Sequence, residues 1–243
     1  MCPASTRSSS VSVTEILFAP LLKADSGRPL ITHYDDAAGT RVELSRATVA
    51  NWAAKTANWL RDEHDVEPGD RVAVLLPAHW QTTGVLLGAW WCGAHVVMGA
   101  DSGGAGAKVA VVPPGGTADA DVVAVASLHP MGLGSGAAVD YNDDVRVHGD
   151  DFTPWDAVAG SAPALGESTV DQLVARAREL AEALGDQPRV LSTLEWNTPS
   201  DVLEGFIAVL AAGGSLVQVT NPDAGRLAAR RDVEKVSVTL PLG

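Results

Sequence analysis

Apolar positions along this chain follow two rhythms, short continuous or alternating runs and longer stretches at helical spacing, separated by Gly, Pro and Asp clusters. Residues 29–34 (Pro-Leu-Ile-Thr-His-Tyr) and 40–44 alternate as strands around the turn-forming 35–39, which predicts a hairpin. Ser45 is a natural N-cap, and Val49, Trp52, Ala53, Thr56, Trp59 and Leu60 behind it fall on one helical face. Glu67-Pro68-Gly69-Asp70 has the central Pro-Gly pair of a tight turn. Residues 71–76 then form a short apolar run of the kind found inside a covered parallel sheet.

Residues 80–92 predict a helix in which Gly84 and Gly88, one turn apart, permit a close approach to a sheet. Short strands are expected at 96–98, 108–112 and 121–128. The stretch 129–168 is irregular, with an acidic patch from Asp140 to Asp151. Thr169 to Leu184 is strongly amphipathic. A strand at 189–193, a helix at 200–212 and a strand at 215–219 come next. Asn221-Pro222 reads as cap and first turn of a short helix to Arg231, and 233–240 as a last strand. This alternation predicts a three-layer α/β fold with a mainly parallel sheet flanked by helices. The expected organisation is a disordered tail over 1–14 and a single α/β domain over 15–243, with 129–168 as its irregular segment.

Composition narrows the function classes. The chain is 46% hydrophobic and 19% charged, an ordinary balance for a globular protein. A formal net charge of −13 argues against nucleic acid and anionic membrane surfaces as partners, because both attract clustered Lys and Arg. Cys2 and Cys92 offer no metal-type spacing and no disulfide framework. The apolar stretch from Gly84 to Ala100 contains His95 and several glycines, and reads as a buried helix and strand rather than a membrane span. Together these point to a cytoplasmic protein.

Few residues carry a chemical signature. Gly132-Leu133-Gly134-Ser135-Gly136 lacks dinucleotide-loop spacing, and Gly103-Gly104-Ala105-Gly106 lacks the Lys-Ser or Lys-Thr of a phosphate loop. His148, Asp150 and Asp151 offer metal-type donors without a second cluster, so they read as solvated charge. Two pairs stand out by position. His79-Trp80 and Trp196-Asn197 each lie just past the C-terminal end of a predicted strand, where open α/β sheets place ligands. If the strands are neighbours, all four residues line one cleft. The simpler reading puts the tryptophans in the core. No catalytic residue, metal ligand or cofactor is assigned.

Three stretches together resemble the N-terminal part of adenylate-forming enzymes, the acyl-CoA synthetase and AMP-binding superfamily. The first runs from Pro29 to Val97. It has Leu44-Ser45 before a helix, Pro68-Gly69-Asp70-Arg71-Val72-Ala73-Val74-Leu75-Leu76-Pro77, and a helix closed by Gly93-Ala94. The second, Thr169 to Val219, has Arg189-Val190-Leu191-Ser192-Thr193-Leu194 and a helix ending in Ala212-Gly213-Gly214. The third is Glu234 to Leu240. The resemblance implies a fold; the departures bear on activity. The family's Gly, Ser and Thr-rich loop ending in Pro-Lys grips ATP phosphates, and the corresponding place here reads Ala162-Pro163-Ala164-Leu165-Gly166-Glu167-Ser168. It has one glycine, no lysine and an acidic residue. A second shortening comes after Val97. The adenine-binding, Tyr-x-x-Thr-Glu and ribose-binding segments and the C-terminal catalytic lysine have no counterpart in these residues.

The resemblance therefore implies a non-catalytic, pseudoenzyme-like member of an acyl-CoA synthetase-like fold that acts by binding a partner or a small acyl, CoA or nucleotide-like ligand. Residual ligase activity completed by a partner's residues and a purely structural subunit are the alternatives. There are two further expectations. Ser168 and Thr169, at the start of a helix, would present amides to an anion. A homodimer would cover apolar surface that the family buries under later segments.

Overall fold

A computed structural model describes residues 11–99 and 104–241. Residues 1–10 of the expected tail, the segment 100–103 and the last two residues lie outside it.

Residues 11–14 are not a disordered tail. Ser12 and Thr14 are buried, Ser12 Oγ donates to Glu15, and Thr14 Oγ1 donates to the Leu87 carbonyl at 2.6 Å. They lead into α1 (residues 14–24), a π-type turn over Thr14–Phe18 that continues as Ala19–Ala24. The hairpin is β1 (Pro29–Asp35) against β2 (Thr40–Ser45). Asp35 Oδ1 closes its turn by accepting from the Ala37 and Ala38 amides. Ser45 Oγ accepts from the Thr48 amide and caps α2 (Arg46–His64), whose apolar face carries Val49, Ala53, Trp59 and Leu60 inward.

β3 (Arg71–Val74), α3 (Trp80–Trp91), β4 (His95–Val97), β5 (Ala107–Val112) and β6 (Ala120–Val125) come in the expected order. The expected irregular segment holds three short elements: α4 (Tyr141–Arg146), β7 (Pro163–Leu165) and β8 (Ser168–Thr169). Its acidic patch has a structural use at Asp140. Oδ1 accepts from the Asn142 and Asp143 amides to cap α4, and Oδ2 accepts from the Ser135 and Gly136 amides. Next come α5 (Val170–Leu184), β9 (Arg189–Ser192), α6 (residues 199–211, with a π-type turn over Leu203–Ile207) and β10 (Ser215–Thr220). The chain then forms α7 (Ala224–Val233) and β11 (Val238–Leu240). Asn221-Pro222 is not the cap of α7. Asp223 caps it by accepting from the Gly225 amide, while Asn221 is left-handed and donates to Asp35. The last strand is also shorter than expected, because Val233 ends the helix and Lys235 turns the chain at φ 55°.

The strands divide into two sheets. One has the order β11-β9-β10-β1-β2 and is parallel except for β2; the other has the order β6-β5-β3-β4-β7-β8 and is parallel except for β8. Helices α2, α3, α5 and α6 fill the space between them, giving sheet, helix and sheet layers. One apolar core is continuous through all three, from Ile31 and Leu216 through Trp59, Leu86 and Ile207 to Val72 and Val109. The outer face of the first sheet, with Leu191, Val217 and Val219, is covered by Leu227 of α7 and by Val236. Arg230 of α7 holds that helix down through a pair with Asp36 at 2.6 Å and by stacking 4.0 Å from the Tyr34 ring. Gly84 and Gly88 admit α2, not a sheet. A Cβ on Gly88 would stand 2.5 Å from Thr56 Cβ, and one on Gly84 3.0 Å from Trp52 Cβ.

Candidate functional site

Strand β3 ends at Val74, and Pro77-Ala78-His79 carries the chain to α3. His79 is the N-cap of that helix, its Nδ1 accepting from the Gln81 amide at 3.2 Å. Strand β9 ends at Ser192, and residues 193–197 carry the chain to α6. The two turns belong to different sheets, yet they face each other across a cleft of about 420 Å³. His79 and Asn197 both line it. His33 and Asp35 from the end of β1 and Gln218 from β10 complete its floor and wall.

The tryptophans are elsewhere. Trp80 turns into the core, 3% exposed, with its ring 5.4 Å from that of Trp52 and its edge over Gly132. Trp196 is 1% exposed and packs on Phe206, where Gly205 makes room for its indole nitrogen. It borders a second, largely apolar cavity of about 600 Å³ over the ends of β3 and β5, which Asn197 shares. Of the four residues expected in one cleft, His79 and Asn197 are brought together, and Trp80 and Trp196 are not. Large apolar rings beside a strand end are drawn inward wherever small neighbours leave space for them.

Two cleft residues escape a reading of the sequence. Register pairs His33 with Gln218 on adjacent strands. Both occupy inward positions, in phase with Ile31 and Leu216 of the core, and both are at most 2% exposed. Polar residues at core-facing positions near strand ends are the signal. It becomes readable only once the phase of each strand is known.

The ring protons are assigned from the hydrogen-bond network. With Thr220 Oγ1 donating to the Tyr34 carbonyl at 3.2 Å, the His33 proton is assigned to Nε2, 3.1 Å from Thr220 Oγ1, and Nδ1 bears the lone pair. On His79 the lone pair sits on Nδ1, facing the Gln81 amide, so Nε2 carries the proton. The two rings meet edge to face, 4.3 Å apart. Burial pushes the His33 pKa down to about 4, against the pull of the Asp35 carboxylate. Burial and the neighbouring His33 push His79 down as well. Both imidazoles are neutral near pH 7. Burial works to raise the pKa of Asp35, but hydrogen bonds from Asn221, Ala38 and Ala37 outweigh it and hold the carboxylate ionised.

The helix start at Ser168-Thr169 is a different structure from the one expected. Residues 163–169 form a tight antiparallel hairpin, β7 against β8, turned at Gly166 (φ 53°) and docked on β4 through Leu165 and Val96. The Gly166 carbonyl meets His95 Nε2 at 2.7 Å. A reciprocal capping box joins Thr169 and Gln172. The Thr169 amide donates to Gln172 Oε1, Val170 to the Ala162 carbonyl, Asp171 to the Gly160 carbonyl and Gln172 to Thr169 Oγ1. All four amides that would receive an anion are taken, and Asp171 adds a negative charge in the first turn. At the expected anion site of Ser168 and Thr169 the amides of residues 169–172 are therefore bonded within the chain.

The remaining candidate residues have ordinary partners. His148 pairs with Glu63 at 2.8 Å and Asp150 with Lys55 at 3.0 Å, which docks their loop on α2. Among the described residues no three His, Cys, Asp or Glu side chains are placed to hold a metal, and no helix is long and apolar enough to cross a membrane.

The fold is shared with solved enzymes. An acyl-CoA synthetase from Brucella canis superposes with a TM-score of 0.78 at 17% identity, over 94% of this chain and 47% of the other. The N-terminal domain of FACL13 from Mycobacterium tuberculosis superposes at 0.71 with 16% identity, over 94% of this chain and 62% of that one. A benzoate CoA ligase from Burkholderia xenovorans gives 0.71 at 16%, over 94% and 49%. The chain thus has the fold of the N-terminal part of acyl-CoA synthetases and spans about half the length of the full enzymes it matches. No family model matches it. A protein of Mycobacterium tuberculosis, described as a TIGR03089 family protein, is 46% identical over 237 residues, covering 91% of this chain and 95% of its own.

Proposed function

The chain belongs to the TIGR03089 family, and on that premise we propose that it is a small-molecule binding protein built on the acyl-CoA synthetase fold, acting through the cleft between its two sheets and not by adenylating a carboxylate. The observation that carries this reading is the contrast between the cleft and the hairpin. The cleft keeps uncommitted polar groups over a cavity large enough for a small molecule. The hairpin stands where the resembled enzymes grip phosphate, and its helix-start amides are all spent inside the chain. Adenylation depends on positioning ATP and stabilising charge on the departing pyrophosphate. Glu167 and Asp171 would oppose that charge here, and no Lys or Arg among the described residues lines the cleft.

The test is a fragment screen on the full chain, read by histidine side-chain NMR and native mass spectrometry. Fragments that bind should move the His33 and His79 resonances together, and Asn197→Ala should weaken them. Binding that leaves both histidines unmoved, or no binding by any fragment, would contradict a ligand cleft.

A further inference from the structure

The charged groups that line the cleft are of one sign, Asp35 and Glu195. Asp35 has one oxygen engaged in its turn and by Asn221, and Oδ2 accepts nothing among the described residues. Glu195 has one oxygen bonded to Asn197 at the rim, and its other oxygen likewise accepts nothing. His33 Nδ1 bears a lone pair, because Nε2 donates to Thr220. No Lys or Arg among the described residues lines the cleft; Arg230 is engaged with Asp36, and Arg41 with Glu234 and Glu43.

Gln218 is an independent observation. It lies wholly buried in the cleft floor, and its Oε1 has no hydrogen-bond partner. Its orientation is not interchangeable, because Nε2 donates to the Leu194 carbonyl at 2.9 Å and a flipped amide would set oxygen against oxygen. A buried acceptor without a donor is uncommon in a folded protein and marks a place where one is missing. Against these acceptors the floor offers one ring donor, His79 Nε2–H.

On the reading that this cleft is a ligand site, we propose that its ligand class is a small organic cation, carrying an ammonium or guanidinium group, received by Asp35 and Glu195 at the wall and rim and by the acceptor-rich floor of His33 and Gln218. A carboxylate or phosphate would meet two carboxylates, a lone pair and an amide oxygen, with only neutral donors, His79 Nε2–H and the side chains of Thr40, Thr193 and Asn197, to hold it. A cation meets the same groups as acceptors. The charge of −13 on the whole chain adds a field that draws cations and repels anions during approach.

The experiment uses three probes of matched size, hexylammonium, hexanol and hexanoate, titrated into the full chain and monitored by histidine side-chain NMR. Hexylammonium should bind saturably and move His33 and His79, with hexanol weaker and hexanoate weakest. Asp35→Asn and Glu195→Gln should each weaken hexylammonium by about tenfold, as loss of a charge-assisted contact does, and leave hexanol unchanged. Glu195→Gln alters an exposed rim residue, so it carries the charge test if Asp35→Asn fails to fold. Hexanoate or hexanol binding as tightly as hexylammonium would overturn the cation assignment and leave the cleft reading standing. So would hexylammonium binding that neither substitution weakens, since that is attraction to an acidic surface. A failure of these probes and of the whole fragment screen would overturn both.

Discussion

Two places in this molecule have the same outline, a strand that hands over to a capped helix, and they end in opposite states. At the first, β3 passes through Pro77-Ala78-His79 into α3, and the turn faces a cleft walled by the other sheet. At the second, β7 and β8 turn at Gly166 into α5, and the residues before them fold back over the helix start. A helix N-terminus gathers amide donors and a favourable dipole end wherever it occurs. What differs is whether those donors are already bonded. The capping box of Thr169 and Gln172 and the carbonyls of Gly160 and Ala162 leave α5 nothing to offer. The cleft beside α3 holds groups with no partner at all, Gln218 Oε1 among them.

The largest predicted effect lies on the cleft side. The folded His33 imidazole protonates only near pH 4, and an unfolded one near 6.5. The unfolded chain therefore takes up the proton first, and stability is full above about pH 6.5 and declines as pH falls towards 4. His33 alone accounts for a loss on the order of 3 kcal/mol over that window, and His79 acts in the same direction. Urea melts at pH 7.5 and pH 4.5 measure it. His33→Asn should flatten the dependence, and equal stabilities in the parent chain would contradict the burial of neutral histidines.

The hairpin side should respond to shape. Gly166 is left-handed, and a Cβ there would sit 3.0 Å from Pro199. Gly166→Val should cost about 2 kcal/mol in a urea melt, with hexylammonium affinity in the cleft unchanged. An effect on affinity as large as that on stability would merge two regions that the fold keeps separate. Thr169→Ala removes half of the capping box and should cost about 1 kcal/mol. The smallest effect is a null difference. Phosphate should raise the melting temperature no more than sodium chloride at equal ionic strength, and a specific rise would reopen an anion site at α5.

Much of this could be read along the chain. Ser45 and Thr169 are caps by residue type; periodicity places the helix after Thr169 within a residue, while the helix after Ser45 runs on to His64, four residues past its last legible apolar position, Leu60. The division into two sheets could not be read, because strand alternation is local and pairing is not. His33 and Thr220, bonded to one another, are 187 residues apart. The cleft is subject to the same limit. His79 and Asn197 were legible because they lie just past strand ends. His33 and Gln218 look like any polar residue in an alternating strand until register sets them against Ile31 and Leu216. The sealing of α5 lay further from reach, since it depends on carbonyls at 160 and 162 in a stretch without periodicity.

The fold is kept, and the central proposal is that the grip on ATP phosphates is not. Carboxylate-dependent exchange of pyrophosphate into ATP measures that grip directly. The purified chain, offered Mg-ATP and a panel of fatty, aromatic and amino acids, should give no exchange above a no-protein control. Losing even one electrostatic contact to developing charge lowers a rate by about a hundredfold to a thousandfold, and the helix-start amides at the hairpin are bonded within the chain. Robust exchange that depends on an added carboxylate and tracks with the purified chain would contradict the account.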